Sequence, residues 1–305
     1  MTDISTHTSL ALHQSTLKQV TSFNGKGLHT GRHVNMKVYP AEANSGIVFQ
    51  RTDKKGNNVL IPATWRYAMT MPLSSAIQHP DGVHVRTIEH FLAACYACDI
   101  DNALIELNGE ELPLLDGSAQ PFIEGLMQAG IKEQNENRRY IKITKPISIE
   151  KDQRHIQLLP ADELSADVTL TLPEIGEQRW QGKLTPGIFS KEIASARTYS
   201  RVKRAIQGFL LSRLLGIKIG RGATLKNSLV VTKKGVLNKG GLRMPDELVR
   251  HRVVDLTGDL MLTGSRIIGH VTGYRLSHDL NQMLVKAIFD HEDAWQWYEV
   301  KDISS

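Results

Sequence analysis

The chain has 305 residues, which is enough for about two domains of ordinary size. Apolar residues make up 41% of it and charged residues 23%, and this balance excludes an intrinsically disordered or low-complexity protein. The 37 basic and 32 acidic residues give a formal net charge of +5, which suits an anionic ligand as well as nucleic acid.

The sequence gives no sign of a membrane or secreted location. No apolar run approaches the ~18 residues that cross a bilayer, and the first residues lack the basic and apolar regions of a secretory signal. We therefore expect a cytoplasmic monomer with no integral membrane segment and, since no recognition motif occurs, no nucleic-acid partner. The two cysteines, Cys95 and Cys98, lie in an apolar helical stretch, which favours buried free thiols over a redox pair or half of a zinc site.

The first half of the chain combines strand and helix patterns. Residues 1–14 are polar and are expected to be frayed. Strands are predicted over residues 16–23, 33–39, 46–50 and 101–107, and a helix over residues 86–98. After a turn at residues 111–118, Ser118 is placed to cap a helix that runs to Gly130.

The polar run at residues 132–139 predicts a linker between a domain at 15–134 and a domain at 139–302. In the second half, strands are predicted over 140–150, 155–159, 166–172, 227–232 and 266–274, and helices over 201–215, 246–262 and 280–297. Both halves thus have strands, a helix, a strand and a helix. We predict an α+β protein of two similar domains, with helices packed between two sheets and the active site in the seam.

The predicted helix at 246–262 carries a possible metal-binding pair. His251 and Asp255 are four residues apart and so lie on one helix face, and Asp259 continues that face by another turn. Imidazole and carboxylate at this spacing can bind Zn²⁺. Taken alone, the spacing favours an ordinary surface ion pair, because such pairs are common on helices.

A second polar pair begins the predicted helix at 86–98. Glu89 directly precedes His90 where an apolar helix is expected, and buried polar groups need partners. In zinc peptidases a glutamate next to a ligand histidine acts as general base, whereas a solvated helix start is the plain alternative. Combined with the first pair, His90, His251 and Asp255 would provide three ligands and leave a fourth position open to water, as in catalytic zinc sites.

Six short motifs occur in order along nearly the whole chain. They are GKGLHTG (25–31), TIEH (87–90), LDGSAQPF (115–122), ARTY (196–199), VRHRVVDLTGDL (249–260) and SHDLN (277–281). Together they resemble the zinc-dependent UDP-3-O-acyl-N-acetylglucosamine deacetylase family of lipid A biosynthesis. The resemblance implies hydrolysis of the N-acetyl group of a UDP-linked, acylated glucosamine with release of acetate, an early committed step of that pathway.

The resemblance also implies a role for each of seven residues. The zinc ligands would be His90, His251 and Asp255. Glu89 would take a proton from the attacking water, and Thr198 would help to stabilise the oxyanion. His278, oriented by Asp259, would carry a positive charge and would either stabilise the tetrahedral intermediate or protonate the leaving amine.

The chain departs from the family pattern around the expected substrate. Arg252 and Arg275 stand where lysine is usual, and we expect both to bind substrate, Arg252 through paired hydrogen bonds to a diphosphate. Tyr199, in place of the usual phenylalanine, adds a hydroxyl to the substrate wall. Ser277 replaces a glycine, and Arg221 lies in a loop that is usually small and apolar.

Several alternatives stay open from the sequence. The chain could be a zinc amidohydrolase for another acylated amine, or a binding relative without turnover, against which Glu89 argues. Zinc and ferrous iron could share these ligands. The apolar segment at 206–215 could wall a passage for an acyl chain or form a core helix, and His29 could stabilise a turn or contact substrate.

Overall fold

The computed structural model describes residues 10–53, 59–203, 206–207, 210, 214 and 218–300. Four helices are described from end to end: α1 (Glu89–Ala97), α2 (Gln120–Ala129), α3 (Glu247–Leu260) and α4 (His278–Asp290). Shorter helical turns are Pro186–Ile188, Phe189–Ile193, Met261–Thr263 and Glu292–Ala294. The strands are β1 (His13–Leu17), β2 (Thr21–Lys26), β3 (His33–Pro40), β4 (Ile47–Arg51), β5 (Leu60–Pro62), β6 (Ala68–Met71), β7 (Ser74–Gln78), β8 (His84–Arg86), β9 (Ala103–Leu107), β10 (Ile131–Asn137), β11 (Arg139–Ile143), β12 (Ile147–Lys151), β13 (Arg154–Leu159), β14 (Ser165–Leu172), β15 (Gly176–Lys183), β16 (Tyr199–Arg201), β17 (Leu229–Thr232), β18 (Gly235–Val236), β19 (Arg266–Ile268), β20 (His270–Tyr274) and β21 (Trp295–Glu299).

Two five-stranded sheets repeat one topology. The first has the order β2-β3-β9-β4-β5 and the second the order β12-β13-β20-β14-β15. In each sheet the middle strand comes last in the chain and pairs in parallel with one neighbour, whereas the other pairs are antiparallel. Buried and exposed side chains alternate along β3, as expected of a sheet with one face in the core. The predicted α+β fold with two similar halves is confirmed.

The helices pack between these two sheets. Helix α1 contacts α3, and its Phe91 ring lies edge-on to Phe49 of the first sheet, with ring centroids 6.2 Å apart. Helix α2 packs on the same sheet through Phe122, whose ring centroid is 5.1 Å from that of Phe23. Helices α3 and α4 contact the second sheet. Every residue of α1 is buried, so this helix, including its polar start, lies inside the seam between the sheets.

Gly258 allows α1 and α3 to approach each other closely. A Cβ atom built on Gly258 would lie 1.9 Å from the backbone oxygen of Glu89, far inside contact distance. Only a residue without a side chain therefore fits at this crossing, which fixes the start of α1 against the last turn of α3.

We expect Gly258→Ala to lower the free energy of unfolding by about 1–3 kcal/mol or more, because the helices must separate to admit the methyl group. Gly109→Ala is the matched control, since its Cβ would meet only Val34 Cγ2 at 3.5 Å, an ordinary contact. Urea unfolding of both variants measures the difference. An equal loss in the two variants would contradict this explanation of Gly258.

The polar run at residues 132–139 is not a linker, which corrects the prediction. Most of it lies in β10, which pairs antiparallel with β1, so part of the supposedly frayed N-terminal stretch is ordered as well. Backbone pairing of this kind does not require apolar side chains. Arg138 is buried and donates hydrogen bonds to Asp99 and Asp101. Domains at 15–134 and 139–302 remain a proposal.

Other predicted elements differ in their bounds. The C-terminal helix was predicted to reach residue 297, but it ends at Asp290, where a polar run begins. The last residues of the predicted helix lie in β21 instead. The single strands predicted at 16–23, 140–150 and 266–274 are each two strands. Strands β6 to β8, β15, β16 and β18 were not predicted, because they are short or lack an apolar alternation. Ser118 is not the N-cap: Ala119 is, and the Ser118 hydroxyl donates to Asp116.

The predicted helix at 201–215 lies partly outside the described residues. The described residues 202, 203, 206, 207, 210 and 214 are helical. None of the helices in the described part of the chain is long and apolar enough to cross a membrane.

Candidate active site and metal centre

A cavity of about 970 Å³ lies between the two halves of the molecule. Nine of the ten site residues predicted from the sequence line it: Glu89, His90, Thr198, Tyr199, His251, Arg252, Asp255, Arg275 and His278. The tenth, Asp259, is fully buried and lies behind His278. The fold thus brings the whole predicted set together.

Three of these residues form a cluster suited to a metal ion. The Nε2 atoms of His251 and His90 lie 3.4 and 3.7 Å from Asp255 Oδ1, and one ligand atom from each of the three lies within 4.8 Å of the others. All three side chains are buried, and Asp255 Oδ1 has no hydrogen-bond partner among the described residues. A buried carboxylate oxygen left unpaired is costly, and a cation between the three groups would satisfy it. Two imidazoles and a carboxylate fit the donor set of Zn²⁺.

Neighbouring groups orient the metal-binding atoms. His251 Nδ1 lies 3.0 Å from the carbonyl oxygen of Ala196, which can only accept, so Nδ1 donates and the lone pair of Nε2 faces the cluster. Burial lowers the pKa of His251 to about 4, which keeps the ring neutral as a ligand must be. Arg252 Nη1 donates to Asp255 Oδ2 at 2.8 Å and leaves Oδ1 for the ion. Burial alone would raise the pKa of Asp255, but the surrounding imidazoles and Arg252 lower it well below its usual range.

Glu89 lies next to the cluster as a buried carboxylate. Its Oε2 accepts a hydrogen bond from the backbone N–H of Ser75 at 3.1 Å, and its Oε1 lies 3.6 Å from His278 Nε2. Burial raises the pKa of Glu89 above its ordinary value, although the neighbouring His278 and His90 oppose that change. A raised pKa makes a carboxylate a stronger base, as general-base catalysis requires.

His278 is held as a cation by carboxylates. Its Nδ1 lies 3.1 Å from Asp259 Oδ2, which also accepts from Asn281 Nδ2 at 2.9 Å, while the Ser75 hydroxyl donates to Asp259 Oδ1. Burial alone would favour the neutral ring, but Asp255, Asp259 and Glu89 together raise the pKa of His278 to about 10.

Ser75 was missed in the sequence, although it joins two parts of the site. Its backbone N–H binds Glu89 and its hydroxyl binds Asp259. Its partner Asp259 is 184 residues away in the chain. A serine in a short strand gives no signal of such a role.

Glu111 holds the GKGLHTG loop against the start of α1. It is fully buried and accepts hydrogen bonds from the backbone N–H groups of His29 and Thr30, each at 2.8 Å, and from the Thr87 hydroxyl at 3.0 Å. A Cβ on Gly27 would lie 2.3 Å from its carboxylate, which explains the glycine. Glu111 was also missed, because nothing local in the sequence marks it.

His29 lies in the same loop and lines the cavity. It is buried, its Nδ1 accepts from the Gly220 N–H at 3.4 Å, and its Nε2 has no hydrogen-bond partner within the part of the chain that is described. Burial lowers its pKa to about 3, so the ring is neutral. This position of His29 is compatible with both roles considered for it, stabilising the turn and contacting substrate.

Thr198 is positioned by a glycine turn. Its N–H donates to the Gly117 carbonyl at 2.7 Å, and its own carbonyl accepts from Leu229 N–H at 2.8 Å. Gly117 adopts a φ of +87°, and a Cβ there would lie 2.1 Å from Asn227 O. The LDGSAQPF motif therefore sets the backbone of the cavity wall that carries Thr198.

Arg252 and Tyr199 form a pair beside the cluster. Arg252 Nε donates to the Tyr199 hydroxyl at 2.9 Å, and the guanidinium carbon lies 4.9 Å from the centre of the ring. Arg252 therefore bridges a predicted ligand and the cavity wall. Arg275 lies on the wall beside Ser277, in a left-handed conformation with φ +54°.

The apolar segment at 206–215 was expected either to wall a passage for an acyl chain or to form a core helix. Its described residues fit neither expectation. Ile206, Leu210 and Leu214 are exposed, and none of the segment's described residues lines the cavity. Residues 208, 209, 211–213 and 215 of the segment lie outside the described residues.

A buried His-His-Asp cluster with a buried carboxylate and an imidazole beside it is the arrangement expected of a metal-dependent hydrolase. A family model described as UDP-3-O-acyl N-acetylglycosamine deacetylase matches residues 14–290 of the chain. The chain belongs to this family.

Curated relatives named UDP-3-O-acyl-N-acetylglucosamine deacetylase agree with that assignment. The relative from Syntrophotalea carbinolica is 38% identical over 298 residues, which cover 96% of this chain and 93% of the relative. The relative from Geotalea uraniireducens is 35% identical, covering 94% and 92%. The relative from Shewanella pealeana is 37% identical, covering 93% and 92%.

Proposed function

We propose that this protein hydrolyses the N-acetyl group of UDP-3-O-acyl-N-acetylglucosamine and releases acetate, an early committed step of lipid A biosynthesis, with Zn²⁺ as its metal. The observation that carries the proposal is the unpartnered, buried Asp255 Oδ1 facing two imidazole Nε2 atoms beside the buried Glu89. The names of the relatives supply the substrate. Catalysis inside the cell as a monomer belongs to the same proposal.

His90, His251 and Asp255 would hold the ion, which when bound supplies Lewis-acid chemistry that polarises the amide carbonyl and makes water more acidic. Glu89 takes the proton from the attacking water, since it is a buried carboxylate that lines the cavity next to His90 and is not one of the three metal-binding groups. Thr198, which lines the same cavity, helps to stabilise the oxyanion that forms.

His278, positioned by Asp259, acts on the tetrahedral intermediate. As an imidazolium it either stabilises the tetrahedral intermediate or gives its Nε2 proton to the leaving amine. The hydrogen bond between Nδ1 and Asp259 fixes the ring so that Nε2 faces Glu89 and the cavity. Asp259 acts through His278, as a positioning residue.

The assay is acetate release from UDP-3-O-acyl-N-acetylglucosamine, with matched substrates that lack the UDP group or the acyl chain. The proposal expects one acetate and one free amine per turnover, and a chelator should abolish the rate. Equal turnover of N-acetylated amines without UDP would favour the alternative, a broader zinc amidohydrolase. No turnover by metal-loaded protein would favour a binding relative.

The activity should be bell-shaped against pH. Glu89 must be ionised, so activity falls as pH drops through its raised pKa, which places the acidic limb above the usual range of glutamate. His278 must be protonated, so activity falls as pH rises through its raised pKa. A cation bound at Asp255 would offset the negative charge of that carboxylate and so reduce its effect on the pKa of His278. The basic limb should therefore lie below pH 10.

Two substitutions test whether His278 causes the fall in activity at high pH, the basic limb of the profile. Asp259→Asn removes a carboxylate that favours the imidazolium, so the limb should move to lower pH. His278→Gln removes the titrating group, so that variant should be slow and its basic limb flat. An unchanged limb in His278→Gln would assign it to another group and leave the histidine as a substrate contact.

Arg252, Arg275 and Tyr199 would bind substrate. We expect Arg275→Ala to raise KM for the UDP-substrate about tenfold, as the loss of one charge-assisted hydrogen bond implies, with kcat nearly unchanged. Steady-state kinetics on substrates with and without the diphosphate measure this effect. An equal rise in KM for a phosphate-free substrate would exclude a phosphate contact.

A further inference from the structure

The net charge of +5 conceals an uneven distribution of charged residues. Twelve of the 37 basic residues and none of the 32 acidic ones lie between residues 193 and 245. The rest of the chain therefore has 25 basic and 32 acidic residues, so this one segment supplies the whole positive excess. A charge asymmetry of this size attracts an anionic partner to one side of a protein.

Only part of this positive charge is neutralised within the protein. Four basic residues of the segment pair with acidic residues from elsewhere: Arg197 with Glu247, Arg201 with Glu174, Lys218 with Glu110 and Arg243 with Asp116. Residues 224–239 are all described, and their lysines form no ion pair with any other described residue. These lysines, Lys226, Lys233, Lys234 and Lys239, are all exposed. We call residues 224–239 the basic hairpin.

The basic hairpin is a well-connected unit. Its strands β17 and β18 pair antiparallel, with Lys233 and Lys234 in the turn between them. Asn238 joins its two ends: Nδ2 donates to the carbonyls of Leu225 and Ser228, and Oδ1 accepts from the Val230 N–H. The backbone positions that carry the lysines are therefore fixed relative to the rest of the hairpin.

Two large apolar side chains are exposed on the same unit. Leu225 is 52% exposed and Leu237 is 56% exposed. Leu225 and Val230 line the catalytic cavity, and the Leu237 N–H donates to the Val230 carbonyl across the hairpin. Since cross-strand neighbours project from one face of a sheet, Leu237 lies on the cavity side with Val230. The two exposed leucines thus adjoin one edge of the cavity, on the hairpin that also carries the four exposed lysines.

We propose that the basic hairpin docks on the surface of an anionic lipid bilayer, with its lysines on the headgroups and Leu225 and Leu237 in the interface. Each Lys near an anionic membrane contributes attraction, and apolar side chains strengthen the binding by leaving water. Nucleic acid fits less well, because a phosphate backbone offers the leucines no apolar phase. The cavity would then open toward the lipid surface, which goes beyond the proposed function and does not depend on it.

The test is co-sedimentation of the full chain with phosphatidylcholine vesicles that contain or lack phosphatidylglycerol. We expect binding to the anionic vesicles alone, weakening as salt rises. Lys233→Glu/Lys234→Glu should lower the partition coefficient at least tenfold, as about 1 kcal/mol per lysine implies. Lys132→Glu/Lys286→Glu makes the same change of net charge at exposed lysines elsewhere and should bind nearly as the parent does. Leu237→Ser should weaken binding severalfold with no change of charge.

Four results would overturn the proposal. These are an absence of binding to anionic vesicles at low salt, equal losses in the two lysine double variants, full binding by Leu237→Ser, and tighter binding of an oligonucleotide than of the vesicles. Acetate release measured on the same samples keeps this test separate from the proposed activity, because neither Lys233 nor Lys234 belongs to the catalytic site.

Discussion

Glu89→Gln should keep its metal and lose most of its turnover. The amide has nearly the shape of the carboxylate and can still accept from the Ser75 N–H, but it cannot take a proton from water. General-base contributions amount to about 10²–10⁴-fold in rate, and we expect a loss in that range in kcat with little change in KM. Single-turnover acetate release, measured with metal content on the same sample, gives both numbers.

Glu124→Gln is the matched control, because Glu124 is exposed on α2, where it accepts a hydrogen bond from Gln120, and it does not line the cavity. It should have the parent rate. A Glu89→Gln rate within about threefold of the parent would show that another group is the base.

His90→Ala and Asp255→Ala should each abolish stoichiometric metal binding. Either substitution removes one of three protein ligands, and three are needed to leave a single open position on a tetrahedral ion. His90→Ala also leaves Asp255 Oδ1 with one imidazole neighbour of the original two. Metal analysis after dialysis should give one equivalent for the parent and far less for each variant, with acetate release lost in parallel.

His155→Ala is the control for these variants, since His155 is exposed on β13 and stacks on Tyr274, away from the cluster. It should bind one equivalent. Full metal occupancy in both His90→Ala and Asp255→Ala would exclude the ligand set.

The sequence was most informative where a function depends on local spacing. His251 and Asp255 are one helical turn apart, so periodicity alone placed them on one face of α3. Their partner His90 lies on another helix, and the approach of α1 to α3 depends on Gly258, whose role is visible only in three dimensions. The two local pairs suggested this ligand set and the family resemblance supported it, but spacing alone could not show that the two helices meet.

Long-range polar contacts explain what the sequence did not predict. Ser75 and Glu111 act through partners far away in the chain, and neither residue lies in a distinctive pattern. The polar side chains of β10 favour a linker, whereas its pairing with β1 depends on backbone groups. Arg252 was expected at substrate phosphate, and its hydrogen bond to Asp255, three residues further along the helix, adds a contact to a predicted metal ligand.

The central claim is that one ion held by His90, His251 and Asp255 makes this protein a deacetylase. Its most direct test is a titration of metal-stripped protein with Zn²⁺, followed by acetate release from UDP-3-O-acyl-N-acetylglucosamine. We predict almost no rate without metal, a linear rise up to one equivalent, and a sharp break there. Full activity in the stripped protein, or a rate that does not respond to the first equivalent, would contradict the account.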